Sequence, residues 1–380
     1  MRFLILKVLH VNKFYSPEIG GVETVCKQYS DYIGKSNKIT VLCVSKNFSL
    51  FTKKEYIDDI LVYRCSSFGT FFSMPISISF IFYYLFLCMK NDVVLSHLPF
   101  PLFDLSNWIA KCLKIPYCLN TVWHSDIVKQ KKLLKILSPI LHYTLKSCDK
   151  VIVTSPNMIK YSSFLTKYSD KCEIIPLCLN SEEVNLRLST IQASDEKEFD
   201  GFFFGRLTYY KGAAFLIDSL ASAKKLGFEF KVLIAGVGDD EEYIKQVIKD
   251  NSLFNVTFIN KFLSEQEKYY YLSKSKCFLF PSTTHSEAFG ITQLEAMFSG
   301  VPVINTELRS GVPWVSQHMK TGLTIRPEDQ IDLIDALKLI IGDESLRMKL
   351  SVNCRQVALE RFDEKIIKKR IVELVERLNC

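Results

Sequence analysis

The chain has 380 residues, 48% of them hydrophobic and 23% charged, with a net charge of +7. That length exceeds one ordinary core, and no stretch is polar enough to stay disordered, so two ordered domains are expected. The charge is uneven: residues 1–180 carry 22 Lys and Arg against 12 Asp and Glu, a balance of +10, while the remainder carries 26 against 29, a balance of −3. Only the first half therefore suits an anionic surface or substrate.

The N-terminal run Phe3 to His10 is too short for a secretory signal and reads as a first buried strand. The 12 cysteines contain no Cys-x-x-Cys pair, so a zinc site is not expected. Without export they sit in a reducing cytoplasm as small buried hydrophobes, not as bridges. Further strands are expected at Ile39 to Val44, Val93 to His97, Pro116 to Asn120 and Lys150 to Val153. Between them, Phe71 to Met89 is uncharged and nearly long enough to cross a bilayer. Pro75 near its start and the strand that follows favour a buried or membrane-leaning helix over a span. Ile127 to Lys150, with lysines at 129, 131, 132 and 135, reads either as an interfacial helix touching anionic lipid or as a solvated helix face. No helix-turn-helix, zinc-finger or RNP-type pattern supports a nucleic-acid partner.

Residues 180–200 are polar and weakly patterned and read as a linker. Strands resume at Gly201 to Gly205, Phe230 to Ala235, Val256 to Ile259, Cys277 to Phe280 and Val301 to Ile304. Strands alternating with helix-period runs, twice over, describe an α/β protein of two parallel-sheet domains, 1–180 and 181–362, with a final helix at 363–380 packing back on the first. Two such domains facing each other across a cleft would place strand C-terminal ends, and any ligand, at the cleft.

Three segments of the second half follow predicted strands. Gly205 to Gly212 sets Arg206 and Lys211 in a glycine-bracketed loop, where they can clamp a diphosphate or form a solvated basic turn. Gly236-Val237-Gly238 is a strand-to-helix turn and not a dinucleotide fingerprint, because Glu241 stands where the third glycine belongs. In Phe280 to Met297, a helix starting near Gly290 would aim free backbone N–H groups at an anion. Glu287 would then precede the helix and Glu295 lie inside it, on the order of 12 Å apart, so each would grip a different part of an elongated ligand. A capping glutamate and a surface glutamate are the plain alternative.

Pro17-Glu18-Ile19-Gly20-Gly21-Val22-Glu23, Trp123-His124-Ser125-Asp126, Thr154-Ser155-Pro156-Asn157, Gly205-Arg206 with Lys211-Gly212, Glu287 to Glu295 and Thr321-Gly322-Leu323 together resemble the retaining family 4 glycosyltransferases of GT-B fold. Within that family the chain is similar to bacterial rhamnosyl- and mannosyltransferases of surface-polysaccharide (O-antigen) assembly. The resemblance implies that Arg206 and Lys211 neutralise the donor diphosphate, Glu287 binds the donor sugar and Glu295 the ribose. It further implies that backbone amides of Phe289, Gly290 and Ile291 hold sugar or phosphate, that Gly20 and Gly21 admit diphosphate and acceptor, and that His124 faces the reacting sugar. Replacing Lys211 or Glu287 by Ala should then abolish transfer and leave the melting profile nearly unchanged. Pro176 to Asn180 departs from the family, which commonly has a glycine and an aspartate there.

The expected reaction is hexose transfer with retained configuration, mannose from GDP-mannose, to a lipid-linked saccharide. It would take place in the cytoplasm at the inner membrane's inner face, with no cofactor and no metal, since Asp-x-Asp is absent. An inverting transferase, a sugar-nucleotide epimerase, a non-catalytic nucleotide-sugar-binding protein and a protein anchored through 71–89 remain alternatives.

Overall fold

The computed structural model describes residues 5–18, 20–71, 74–126, 131–191 and 196–377, and only the backbone of 131–136. Two compact units emerge: Met1–Ile175 together with Ile367–Cys380, and Pro176–Ile366.

The first unit contains β1 (Lys7–Val11), α1 (Gly21–Gly34), β2 (Lys38–Val44), β3 (Lys53–Ile57), β4 (Ile60–Cys65), β5 (Thr70–Phe71), β6 (Met74–Pro75), α2 (Ile78–Cys88), β7 (Val93–Leu98), α3 (Pro101–Cys112), β8 (Cys118–Trp123), α4 (Lys131–Ser147), β9 (Lys150–Val153), α5 (Pro156–Tyr161) and β10 (Cys172–Ile174). Its main sheet runs β10-β9-β8-β7-β1-β2-β4-β3, parallel except for β3. The central strands are nearly continuous apolar runs because helices cover both faces. β3 and β4 form a hairpin turned by Asp58 and Asp59, both at positive φ.

The second unit contains α6 (Ser181–Ser189), β11 (Phe199–Phe204), α7 (Ala213–Lys225), β12 (Val232–Ala235), α8 (Glu241–Asp250), β13 (Val256–Ile259), α9 (Glu265–Ser273), β14 (Ser275–Phe280), α10 (Ile291–Phe298), β15 (Val303–Thr306), α11 (Val312–Val315), β16 (Gly322–Ile325), α12 (Gln330–Gly342), α13 (Glu344–Phe362) and the start of α14 (Glu364–Glu376). Its sheet is wholly parallel in the order β13-β12-β11-β14-β15-β16, so the strand order reverses between β11 and β14. Phe203, Leu279 and Leu337 belong to one apolar layer, and Phe202, Phe278 and Met297 to another. Capping fixes the helix starts: Ser264 and Glu267 form a reciprocal box at α9, and Asp329 accepts from Asp332 N–H at α12.

Several expectations require correction. Within residues 180–200 the expected irregular linker is a helix over its first half, since Asn180 caps α6 by accepting from the Glu182 and Glu183 N–H groups, and β11 begins at Phe199; residues 192–195 lie outside what is described. Phe71 to Met89 is no single helix, because β5 and β6 consume its start and Ser77 caps an 11-residue α2. Among the described residues no helix is long and apolar enough to cross a membrane. In the basic stretch, residues 127–130 and the side chains of 131–136 lie outside what is described. Among the described residues ten cysteines are free thiols, eight of them buried.

Candidate functional site

Open parallel sheets bind ligands beyond their strand C-terminal ends, where strand order reverses. In the second unit that point lies between β11 and β14, and the loops leaving it are 205–212 and 281–290. They are tied together: Thr283 donates its N–H to Tyr210 O and its hydroxyl to Tyr209 O, both at 3.0 Å. Gly212 has φ +78°, and a Cβ there would lie 1.9 Å from Pro281 O, so only glycine lets the loops touch.

This contact brings Lys211 to Glu287. Lys211 Nζ lies 2.5 Å from Glu287 Oε2, with both side chains largely buried, and rests 5.4 Å from the Phe280 ring centre. The pair is ionic without an aligned hydrogen bond, and Oε2 has no hydrogen-bond partner, so the carboxylate keeps accepting capacity for a ligand. Arg206, one residue past Gly205, is exposed and forms no ion pair among the described residues.

Just beyond Glu287 the chain enters α10. Gly290 (φ +80°) precedes the helix with no side-chain cap, which leaves first-turn N–H groups free to bind an anion. Phe289 is buried against Phe362 with ring centres 6.1 Å apart, and Ile291 is partly exposed. A buried amide network holds this turn: Asn305 Nδ2 donates to Gln293 Oε1, Val312 O and Ser316 O, and Gln293 donates to Phe289 O. Glu295, inside α10, pairs with Lys268 of α9 at 2.8 Å. Burial raises its carboxyl above the usual range, with Lys268 opposing. The structure thus gathers Lys211, Glu287, Phe289, Gly290 and Ile291 at one loop junction and gives Glu295 a separate cation.

In the first unit the reversal falls between β1 and β7. Gly20 caps α1 in extended backbone and Gly21 begins the helix; a Cβ on Gly20 would collide with Glu23, whereas Gly21 faces open space. His124 follows β8 and is half-buried, held by its N–H to Leu98 O. Its Nε2 meets His97 Nδ1 at 2.7 Å, His97 Nε2 meets His10 Nε2 at 2.7 Å, and His10 Nδ1 meets Ser30 Oγ at 2.8 Å. Burial lowers the histidine pKa values, to about 3 for His10 and about 4 for His124, so the rings are neutral. Cys26 lies beside them, and His10, Cys26 and His97 form a buried group whose potential ligand atoms fall within 4.8 Å. Sequence reasoning missed Lys268, Asn305, His10 and His97; the available signal for the last two was a histidine inside an otherwise apolar strand.

The family pattern described as "Glycosyl transferases group 1" matches residues 187–357. The chain is 30% identical over 368 residues to O-antigen chain mannosyltransferase C of Escherichia coli, covering 94% of each protein. It is 28% identical to D-rhamnosyltransferase WbpZ of Pseudomonas aeruginosa, covering 88% of this chain and 86% of that one. Among solved structures, Anabaena HepE in complex with UDP superposes with a TM-score of 0.75 at 18% identity, covering 98% of this chain and 100% of that one, which marks the fold as GT-B.

Proposed function

Since the chain belongs to the group 1 glycosyl transferases and is a glycosyltransferase, we propose that it moves a hexose from a nucleotide sugar to a lipid-linked saccharide, with retained configuration, in surface-polysaccharide assembly. The observation that carries the reading is the Lys211–Glu287 pair beside the uncapped start of α10. A donor diphosphate entering there meets the Lys211 ammonium and free helix N–H groups, with Arg206 able to swing in from its exposed position. These groups stabilise the charge that develops on the departing nucleoside diphosphate as its bond to the sugar breaks. The carboxylate released from Lys211 then accepts from sugar hydroxyls, and Glu295 from ribose hydroxyls. Phe289, Gly290 and Ile291 contribute backbone amides; the roles proposed for Gly20 and Gly21 are to admit diphosphate and acceptor, and for His124 to act on the transferred sugar. The lysine, arginine and helix dipole do the work otherwise given to a metal, so chelation with EDTA leaves the rate unchanged.

Mannose from a guanosine diphosphate donor is the leading assignment, supported by the likeness to the Escherichia coli mannosyltransferase. A 6-deoxyhexose is the second reading, favoured by the likeness to the rhamnosyltransferase. Thermal-shift titration with GDP, UDP, dTDP and their sugars tests the base, since a specific ligand stabilises the folded state by mass action. Anomeric NMR of the product tests retention. No shift with any of them, or an inverted product, would remove the corresponding part of the reading.

Contact with the cytoplasmic face of the inner membrane forms part of the proposal. Ile78, Phe82 and Phe86 of α2 and Met89 at its C-cap are exposed, and Phe48, Leu50 and Phe51 are exposed on the loop that Thr52 fastens to Ser79. Lys46, Lys53, Lys54 and Lys90 are exposed around them. Apolar side chains rimmed by lysines suit an anionic lipid surface.

A further inference from the structure

Four hydrogen-bonding groups of the first unit run in single file from its core to its surface: Ser30 on α1, His10 on β1, His97 on β7 and His124 after β8. Ser30, His10 and His97 are fully buried. A neutral imidazole carries one N–H and one bare nitrogen, so each of the three contacts requires one hydrogen supplied from one side. Only two complete proton orders satisfy the file. In the outward order, Ser30 O–H donates to His10 Nδ1, His10 Nε2–H to His97 Nε2, and His97 Nδ1–H to His124 Nε2, which leaves His124 with its proton on Nδ1. In the inward order every hydrogen is reversed and His124 Nδ1 is bare. Switching one ring alone breaks a buried contact, so the tautomer of His124 is tied to the core.

We propose that His97, supported by His10 and Ser30, is a positioning residue that fixes the ring of His124 and ties its tautomer to the order of the buried rings, with Nδ1 of His124 a donor in the outward order and an acceptor in the inward one. His124 Nδ1 has no partner among the described residues, so the atom whose character the file sets is available to a ligand. A metal does not explain the file: two imidazoles about 2.05 Å from a tetrahedral zinc stand roughly 3.3 Å apart, and the Nε2 atoms of His10 and His97 stand at 2.7 Å. Cys26 Sγ, 3.7 Å from His10 Nε2, and the Tyr29 ring pack on the flank as neutral neighbours; Lys13 is the cation nearest the outer end.

The inference rests on the reading that His124 acts on the transferred sugar, and the test separates the two. Long-range proton–nitrogen NMR of the histidine-labelled protein reads each tautomer directly. The expected spectrum shows all three rings in one order, either His10 Nε2–H with His97 and His124 Nδ1–H, or His10 Nδ1–H with His97 and His124 Nε2–H. His97→Leu should release His124 to a mixture of both tautomers and lower kcat about tenfold or more, as loss of one buried hydrogen bond implies, with KM for the nucleotide sugar within about twofold. His97→Asn, whose amide can donate or accept at the Nδ1 position, should recover a good part of kcat. Rings in mixed orders in the wild type, a single unmoved His124 tautomer in His97→Leu, or stoichiometric zinc in the purified protein would each overturn the inference. If His124→Ala transfers sugar at the full rate while the NMR pattern stands as described, the functional role of His124 fails and the array remains.

Discussion

Lys211 and Glu287 form a buried pair, and neither can lose the other without leaving a desolvated charge behind. The expectation that Ala at either position leaves melting unchanged therefore needs revision. Lys211→Ala should abolish transfer and also destabilise the second unit by about 2 kcal/mol, less than for a fully dry pair, lowering its melting midpoint by roughly 5 °C. The double change Lys211→Met with Glu287→Gln should restore the midpoint but not the activity, as differential scanning calorimetry and a transfer assay would show. The three neutral histidines make a second prediction. Their folded pKa values lie below the ordinary value near 6.5, at about 3 for His10 and about 4 for His124. From about pH 6.5 down to pH 4 the unfolded chain thus binds protons that the folded rings refuse, and stability falls on acidification. Asp104, fully buried and pushed up to about 7, and Glu295, also raised by burial, act in the opposite sense, but two carboxyls do not offset three rings. Urea unfolding at pH 7.5 and pH 5 should show the loss; equal stability would mean the rings are not neutral. The residues offered for the donor were legible because Lys211, Glu287 and Gly290 recur at strand ends in a recognisable spacing. Their partners were not: Lys268, the one lysine of α9, meets Glu295 from 27 positions away, and Asn305 acts through contacts with Gln293, Val312, Ser316 and Thr324 that no local pattern announces.

At the scale of elements, the start of α7 depends on the approach of two loops. Gly212→Ala adds a Cβ into Pro281 O at a left-handed φ, so the loops must part or the backbone must shift. A loss of about 2 kcal/mol or more is expected, with KM for the nucleotide sugar rising because Lys211 moves with the loop. Wild-type KM in this variant would show that the loops do not need to touch. α2 offers a different test. It leaves Phe82 68% and Phe86 42% exposed, while Phe80 and Tyr84 on the other face are buried. Each phenylalanine moved out of water is worth about 1.5–3 kcal/mol. Phe82→Ser with Phe86→Ser should therefore weaken binding to anionic phospholipid vesicles at least about tenfold, with unchanged transfer to a water-soluble acceptor. Equal sedimentation of both proteins with vesicles would count against membrane contact through this face.

The twofold α/β alternation was readable across the whole molecule because parallel strands covered by helices need long apolar runs, and those runs stand out. What escaped were the pieces without such runs. The β3–β4 hairpin lies toward the sheet edge with half-exposed residues, β10 has three half-buried residues, and β16 begins on a glycine chosen because Val303 O approaches it. The division of the chain is equally a matter of packing, since the last segment belongs with the first 175 residues. There Arg370 donates to Ile174 O at 2.5 Å, Asn37 donates to Glu376, and Ile367, Ile371 and Leu374 are buried. Truncation after Ile366 should leave the first unit prone to aggregation and the second still able to bind nucleotide, as light scattering and thermal shift would report. Translation gives this arrangement a temporal cost. Residues 1–175 leave the ribosome well before the segment that starts at Ile367, so their nascent fold stays open until that segment follows, and chaperone occupancy should persist until then.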